Sequence, residues 1–469
     1  MNDQVKAVPI SLVSLYEKRR KVQPRSVRGW FANWRWALVW LTQAVFYGLP
    51  WLTWNGRPAM LFDLTARRFY IIDMVLYPQD FIYLTGLLVI SAYALFFFTA
   101  VAGRLWCGYA CPQTVYTQIF LWVERRIEGE RGARLKLDAS GWTFDKLWRR
   151  GAKQGVWLAI ALWTGFTFVG YFTPIRTLWA EAFTLSFGPW EWFWVNFYGL
   201  ATYGNAGFLR EQVCKYMCPY ARFQGAMFDK DTLIITYDAQ RGDPRGTRSR
   251  GADLAALKLG ECIDCKLCVH VCPTGIDIRN GLQTECIACA ACIDACDGVM
   301  DKMRYPRGLI RYSTQNGLTQ GFTRREIFAR VLRPRVLIYG AVLLVLAAAW
   351  VTSLALRSPL KVDVVRDRAS LARLVEGGRI ENVYRLQLMN ATEEEQRYTI
   401  DVRGLDGALL TSNADIRVGP AQGRWFTVQV RIPPASAQAV GPGAHAIQFE
   451  IAGTDDLRVT EKSTFIVPR

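Results

Sequence analysis

Eight cysteines between Cys262 and Cys296 repeat one spacing twice. The first run reads Cys262-Ile-Asp-Cys265-Lys-Leu-Cys268-Val-His-Val-Cys272-Pro273, and the second Cys286-Ile-Ala-Cys289-Ala-Ala-Cys292-Ile-Asp-Ala-Cys296. Each is C-x2-C-x2-C-x3-C, the spacing with which bacterial ferredoxins hold 4Fe–4S clusters. Three thiolates two residues apart wrap one face of a cubane, and the fourth crosses to the neighbouring cluster. The spacing therefore predicts two 4Fe–4S clusters, one on Cys262, Cys265, Cys268 and Cys296, the other on Cys286, Cys289, Cys292 and Cys272. A zinc ribbon would use two separated CxxC pairs instead. Asp297 follows the last cysteine where Pro273 follows the first run, which brings a carboxylate near one cluster. His270 reads as a partly exposed loop side chain, not a ligand.

The remaining four cysteines form two shorter matches, Cys107-Gly-Tyr-Ala-Cys111-Pro112 and Cys214-Lys-Tyr-Met-Cys218-Pro219. Cysteines four apart on a helix share a face, and paired soft thiolates suit Cu(I), zinc or an iron–sulfur centre. A dithiol redox pair is the other chemistry open to them. Pro112 and Pro219 each lack an N–H and should kink or end the local helix, leaving carbonyls or Met217 free to meet a metal.

These motifs must be held by elements at a membrane surface. Five stretches carry no Asp, Glu, Lys or Arg and are long enough to span a bilayer: Trp36 to Trp54, Phe81 to Gly103, Val156 to Thr173, Trp192 to Leu209 and Val336 to Leu356. Several end in Trp, which favours the interface. Leu105 to Val123 is also uncharged, but its Cys, Gly, Pro and Gln content makes it an interfacial or partly inserted helix. Each CxxxCP motif follows the end of a predicted span, so residues 36–123 and 156–228 read as two copies of one unit related by an axis along the membrane normal.

The chain of 469 residues has a formal charge of +17, which in a soluble protein would first indicate nucleic acid. The charge is not spread evenly. Segments 1–35, 104–155 and 210–335 hold 38 basic and 21 acidic residues, whereas the others hold 19 of each. The positive-inside rule places those three segments in the cytoplasm and the tail 357–469 in the periplasm. The excess is thus a topology signal and an attraction to anionic membrane lipid, with no nucleic-acid partner. All 12 Cys fall on the reducing side. The N-terminal stretch lacks a cleavable apolar region, so no signal peptide is expected.

Beyond Leu356 the composition changes. Period-2 alternation in Tyr384 to Leu388, Phe426 to Ile432 and Ile447 to Ile451, broken by Gly, Asp and Pro turns, predicts an all-β sandwich. Glu393 to Glu395 reads as a solvated turn, Asn390-Ala-Thr392 as a chance sequon, and His445 as lacking partners for a metal site. The tail reads as a docking module. The expected organisation is a multi-domain membrane protein: an N-terminal cytoplasmic segment (1–35), a four-span repeat domain with both CxxxCP motifs (36–235), a cytoplasmic two-cluster ferredoxin domain (236–335), a fifth span (336–356) and the sandwich (357–469).

With these residues in view, the chain resembles the CcoG/FixG/RdxA family of cytochrome c oxidase accessory proteins. The resemblance rests on Trp106 to Pro112, Cys214 to Gln224, Met227-Phe-Asp-Lys-Asp231, and Cys262 through Asp297 with Pro273-Thr-Gly-Ile-Asp277. It implies assembly of cbb3-type cytochrome c oxidase by reduction of Cu(II) to Cu(I), and an immunoglobulin-like tail. Cys107, Cys111, Cys214 and Cys218 would be the catalytic copper or redox site, and the eight ferredoxin cysteines the cluster ligands. The implied partners are a cytoplasmic electron donor, a copper transporter or chaperone, and oxidase assembly factors, at the bacterial inner membrane. The CxxxCP-plus-ferredoxin pattern is shared with NapH-type quinol dehydrogenases and NosR-like regulators. Quinol oxidation and a non-catalytic copper-holding scaffold are therefore the rival functions.

Overall fold

The computed structural model describes residues 21–367, 371–411, 415–453 and 457–469. Residues 1–20 of the predicted N-terminal segment lie outside them. The chain divides into two compact units. One takes in residues up to Trp40, Phe98–Ile160 and Ala201–Val336; the other takes in Leu41–Phe97, Ala161–Leu200 and Leu337–Arg469.

All five uncharged stretches are helical, with altered bounds. The helices run Trp30–Gly48, Phe81–Ala102, Phe144–Val169, Pro189–Thr202 and Pro334–Ala355. Two of them, over Pro78–Ala102 and Pro334–Ala355, are long and apolar enough by composition to cross a membrane. Their apolar side chains face outward, Ile82 and Leu344 each being 71% exposed. The other three depart from the uncharged stretches for physical reasons. Trp30–Gly48 begins before Arg35 because the Asp294 carboxylate accepts from the N–H groups of Phe31 at 3.2 Å and Ala32 at 2.8 Å, capping its first turn. Phe144–Val169 opens on Lys146, Arg149, Arg150 and Lys153. Pro189–Thr202 loosens into a π-helical turn, Tyr203–Leu209, a distortion often found at functional sites.

In the first unit, antiparallel strands Ile234–Tyr237 and Ile310–Ser313 pair Ile235 with Tyr312. The first begins at Ile234, so the predicted ferredoxin boundary at 236 falls inside it. They pack with helix Ala291–Met303 around Ile293, Met300, Leu309 and Ile310, all nearly inaccessible to solvent. A buried ionic cluster sits on helix Pro112–Glu128. Glu124 is wholly buried and meets Arg210 at 2.9 Å and Arg134 at 3.3 Å, with Lys153 and Lys21 at 4.0 Å. Burial alone would raise its carboxyl, but these cations outweigh that and hold it below the usual range. The helix after the first CxxxCP motif is thereby tied to Arg210, four residues before the second motif.

In the second unit, Gly165 and Gly199 let helices Phe144–Val169 and Pro189–Thr202 approach closely, since a Cβ at 165 would overlap the Val195 carbonyl. The stretch between the first two helices is ordered as strands: Met60–Asp63, Arg68–Ile71 and Met74–Leu76 form a three-stranded sheet. Its Tyr77 donates to the Asn390 carbonyl at 2.9 Å. The tail is a sandwich. One sheet orders Leu409–Leu410, Gly423–Ile432, Arg379–Asn390 and Leu360–Arg366, with Arg373–Val375 on the third of these; the other orders Asp415–Val418, Gln396–Arg403, Gly443–Gly453 and Arg458–Val467. The alternating residues Tyr384, Leu386, Leu388, Phe449 and Ile451 are all fully buried between the sheets, and Tyr384 meets Phe449 edge-on at 5.1 Å. Glu393 is not merely solvated, because it pairs with Arg57. Asn390 is wholly buried, its amide donating to the Glu394 carbonyl at 2.7 Å. His445 contacts the Gly441 carbonyl at 2.8 Å.

Candidate iron–sulfur and thiol site

The ferredoxin loops take the same backbone path twice. Asp264 and Lys266 in the first run, and Ala288 and Ala290 in the second, have positive φ between 51° and 58°. Non-glycine residues pay for that conformation, and it recurs at equivalent positions between the thiols. Alternating hand turns successive N–H groups into one concavity, an anion-binding nest. Cys262, Cys265, Cys268 and Cys296 stand around one cavity, with Arg279 and Tyr237 in its wall. Cys272, Cys286, Cys289 and Cys292 line a second, which Cys268 also touches. Neither lining includes a carboxylate. Thiol donors, apolar walls and inward-turned N–H groups fit 4Fe–4S clusters. Among the described residues no three His, Cys, Asp or Glu side chains converge on a single-ion site. A cubane needs no such convergence, because each thiolate binds its own iron.

At each CxxxCP motif the local helix ends, as the prolines predict, so the two thiols of a pair do not share one helical face. Cys107 lies in the short helix Leu105–Tyr109, and Cys111 is extended and N-caps Pro112–Glu128. Cys214 lies in the π-helical turn Val213–Met217, and Cys218 N-caps Pro219–Met227. Each proline occupies the first helical position, where its missing N–H costs nothing. It starts a helix instead of kinking one. The second thiol of each pair thus sits at a helix N-terminus, where negative charge is favoured. Met217, proposed as a metal contact, is 59% exposed.

All four thiols influence one another electrostatically. Burial pushes Cys107 up to about 11, against a hydrogen bond from Gln224, and Cys214 up to about 12 with help from the neighbouring thiols. Burial also raises Cys111. Gln224, wholly buried, donates from Nε2 to Cys107 Sγ at 3.5 Å. Among the ferredoxin thiols, burial pushes Cys268, Cys286 and Cys296 up to about 12. Asp297, whose carboxylate accepts from Gly308 N–H at 3.0 Å, adds to the rise at Cys296. Such thiols ionise when a metal supplies the charge.

The two thiol groups meet. Cys107 and Cys214 pack on the apolar cluster of Val271, Ile287, Cys289 and Ala291. Arg104, 6% exposed, donates to the Ala221 carbonyl at 2.5 Å and to the Thr284 carbonyl, and its charge favours the thiolates of Cys107, Cys214 and Cys286. Tyr109 is hydrogen-bonded to Tyr312, which donates to the Ala288 carbonyl at 2.6 Å. His270 is partly exposed, its carbonyl accepting from Arg25 N–H at 2.7 Å. Arg104, Gln224 and Gly108 join the site only through the fold. For Arg104 a signal existed: it is the only charged residue between Phe81 and Val123. Nothing local distinguishes Gln224 or Gly108.

The 4Fe–4S dicluster domain family matches residues 209–315, a 4Fe–4S binding domain matches 84–129, and the immunoglobulin-like fold at the C-terminus of FixG matches 350–468. Nitrogen fixation protein FixG of Rhizobium meliloti is 38% identical over 84% of this chain and 82% of its own. Protein RdxA of Cereibacter sphaeroides is 40% identical over 84% of each. A FixG-related protein from Vibrio parahaemolyticus, known as a crystal structure, is 26% identical over 24% of this chain and 97% of its own, with a TM-score of 0.21. The iron–sulfur loops, the immunoglobulin-like tail and identity along most of the chain agree, and the chain belongs to the CcoG/FixG/RdxA family of iron–sulfur proteins.

Proposed function

We propose that this protein spans the bacterial inner membrane five times and reduces Cu(II) to Cu(I) for assembly of cbb3-type cytochrome c oxidase. Cys262, Cys265, Cys268 and Cys296 hold one 4Fe–4S cluster, and Cys272, Cys286, Cys289 and Cys292 hold the other. The clusters supply one-electron transfer from a cytoplasmic donor. Cys107, Cys111, Cys214 and Cys218 bind the copper substrate, and their thiolates favour the Cu(I) product, which passes to a copper carrier. The observation that carries this reading is the packing of Cys107 and Cys214 against the buried cluster of Val271, Ile287, Cys289 and Ala291. The quartet therefore lies beside one ligand set and not apart from it. Arg104 offsets the charge of thiolates on both sides of that contact.

The five crossings draw support from the chain path, since every passage from one compact unit to the other falls within one of the five helices. The first four helices are read as a twofold repeat, each pair ending in a cysteine, a helix-capping cysteine and a proline. The quartet changed to serine should lose Cu(II) reduction while keeping the cluster absorbance of the purified protein. Undiminished reduction in that variant removes copper chemistry from these thiols. Bleaching of the clusters by quinol without copper binding would transfer the reading to a quinol dehydrogenase.

A further inference from the structure

A second polar site lies in the first unit, beside the ferredoxin loop. Four arginines line one cavity, Arg25, Arg35, Arg125 and Arg134, with Trp36 and Trp122 as aromatic walls and no carboxylate in the lining. Nearby carboxylates are already engaged. Glu124 pairs with Arg134 at 3.3 Å, Glu130 accepts from the Ser26 hydroxyl at 2.6 Å and faces Arg125, and Asp294 caps helix Trp30–Gly48. Arg35 is 8% exposed, and its Nε has no hydrogen-bond partner among the described residues. Its charge also acts on the Cys289 thiol, but a buried guanidinium N–H left without a partner is costly, and an anion bound in the cavity relieves that cost.

Size and position restrict that anion. The cavity volume is about 60 Å³, well below the roughly 300–1,000 Å³ of sites that hold whole cofactors or drug-sized ligands. A single tetrahedral oxyanion fits the volume and matches guanidinium geometry. Trp36 and Trp122 are interfacial residues in the proposed topology, and basic pockets at the cytoplasmic side of membrane helices take lipid headgroups. Val271 and Pro273 also border the cavity, so an anion there sits beside Cys272.

We propose that this four-arginine cavity binds one phosphate group, carried by an anionic phospholipid headgroup or present as free phosphate. The lipid source rests on the membrane reading above; the phosphate site does not. The test uses the full-length, cluster-loaded protein in detergent. Native mass spectrometry measures retention of phosphatidylglycerol, and equilibrium dialysis measures inorganic phosphate. The wild type should bind one or the other, and Arg35→Gln should weaken that binding about tenfold. Arg25→Gln, at the exposed mouth, should weaken it about fivefold, Arg35→Lys should restore part of it, and exposed Arg149→Gln should change nothing. Retained lipid assigns the headgroup, whereas phosphate binding alone assigns the free ion. Absence of binding in both arms, or equal binding by wild type and Arg35→Gln, overturns the site. If Arg35→Gln loses its cluster absorbance, Arg25→Gln decides by the same comparison. Alkaline extraction reports separately on the membrane reading: release of wild-type protein refutes the spans and leaves the phosphate arm to decide the site.

Discussion

Gly108 lies flush against the peptide following Ile287. A Cβ at 108 would stand 2.7 Å from the Ile287 carbonyl oxygen and 2.9 Å from the Ala288 carbonyl. The obstacle is backbone and cannot rotate away. Glycine between Cys107 and Tyr109 therefore sets how closely the thiol quartet approaches the loop carrying Cys286 and Cys289.

Gly108→Ala should push the two apart. The expected outcome is a loss of about 1–3 kcal/mol of stability and slower Cu(II) reduction, with the cluster absorbance retained. Unchanged stopped-flow reduction rates in this variant would show that the contact does not govern electron delivery.

Arg104 places a buried positive charge near thiols of both groups. Positive charge favours the more negative, reduced state of a cluster. Arg104→Gln should lower the midpoint potential of the cluster nearer Cys286, and Arg104→Lys should recover part of the shift. An EPR-monitored redox titration checks the direction.

Glu124→Gln removes the carboxylate shared by Arg210 and Arg134 and strands buried cations. A loss of about 3–5 kcal/mol is expected, read as a lower thermal midpoint in detergent. Asp145→Asn, which breaks the exposed pair with Arg149, should cost no more than about 1 kcal/mol.

The metal-free thiols give a pH signature. Cys107 is raised from 9.0 to about 11 in the fold, so between those values the folded state binds more protons than the unfolded state. That contribution to stability is complete below pH 9 and declines as pH rises toward about 11. Denaturation of metal-free protein at pH 8 and pH 10.5 should show the loss, and Cys107→Ser should lessen it. Metal capture by these thiols should release protons, measurable in a weakly buffered solution.

The sandwich is a separate matter. Phe449 is fully buried against Tyr384, and Phe449→Ala should destabilise the tail by about 3–5 kcal/mol. Cluster absorbance should be untouched, since no cluster thiol lies in the tail. Loss of clusters in that variant would contradict the division of the chain.

Some of this was legible in one dimension because the signal is local. The twice-repeated cysteine spacing, uncharged runs that became helices and strict alternation from Tyr384 to Leu388 all act within a few residues. A local pattern also suffices for the sandwich core, since period-2 burial follows from the pleat. The short CxxxCP spacing does not give one helical face: proline prefers the first helical position, so the helix ends between the thiols and a new one starts just after the second. The sheet over residues 60–76 pairs locally, but its buried face packs with Met389 and Ala391, and Glu393 is engaged by Arg57, partners more than 300 residues away.

What the sequence by itself determined is the donor chemistry: twelve thiols, their grouping as eight and four, and a basic surplus confined to three segments of the chain. Only the tertiary structure decided that Cys107 and Cys214 rest on the cluster containing Cys289, that the charge of Arg104 reaches thiols of both groups, and that Arg35 is buried with its Nε unpartnered. The physical reason is range. Ligand spacing is written along the chain, whereas desolvation, ion pairing and the closeness of two backbones exist only once distant segments have packed.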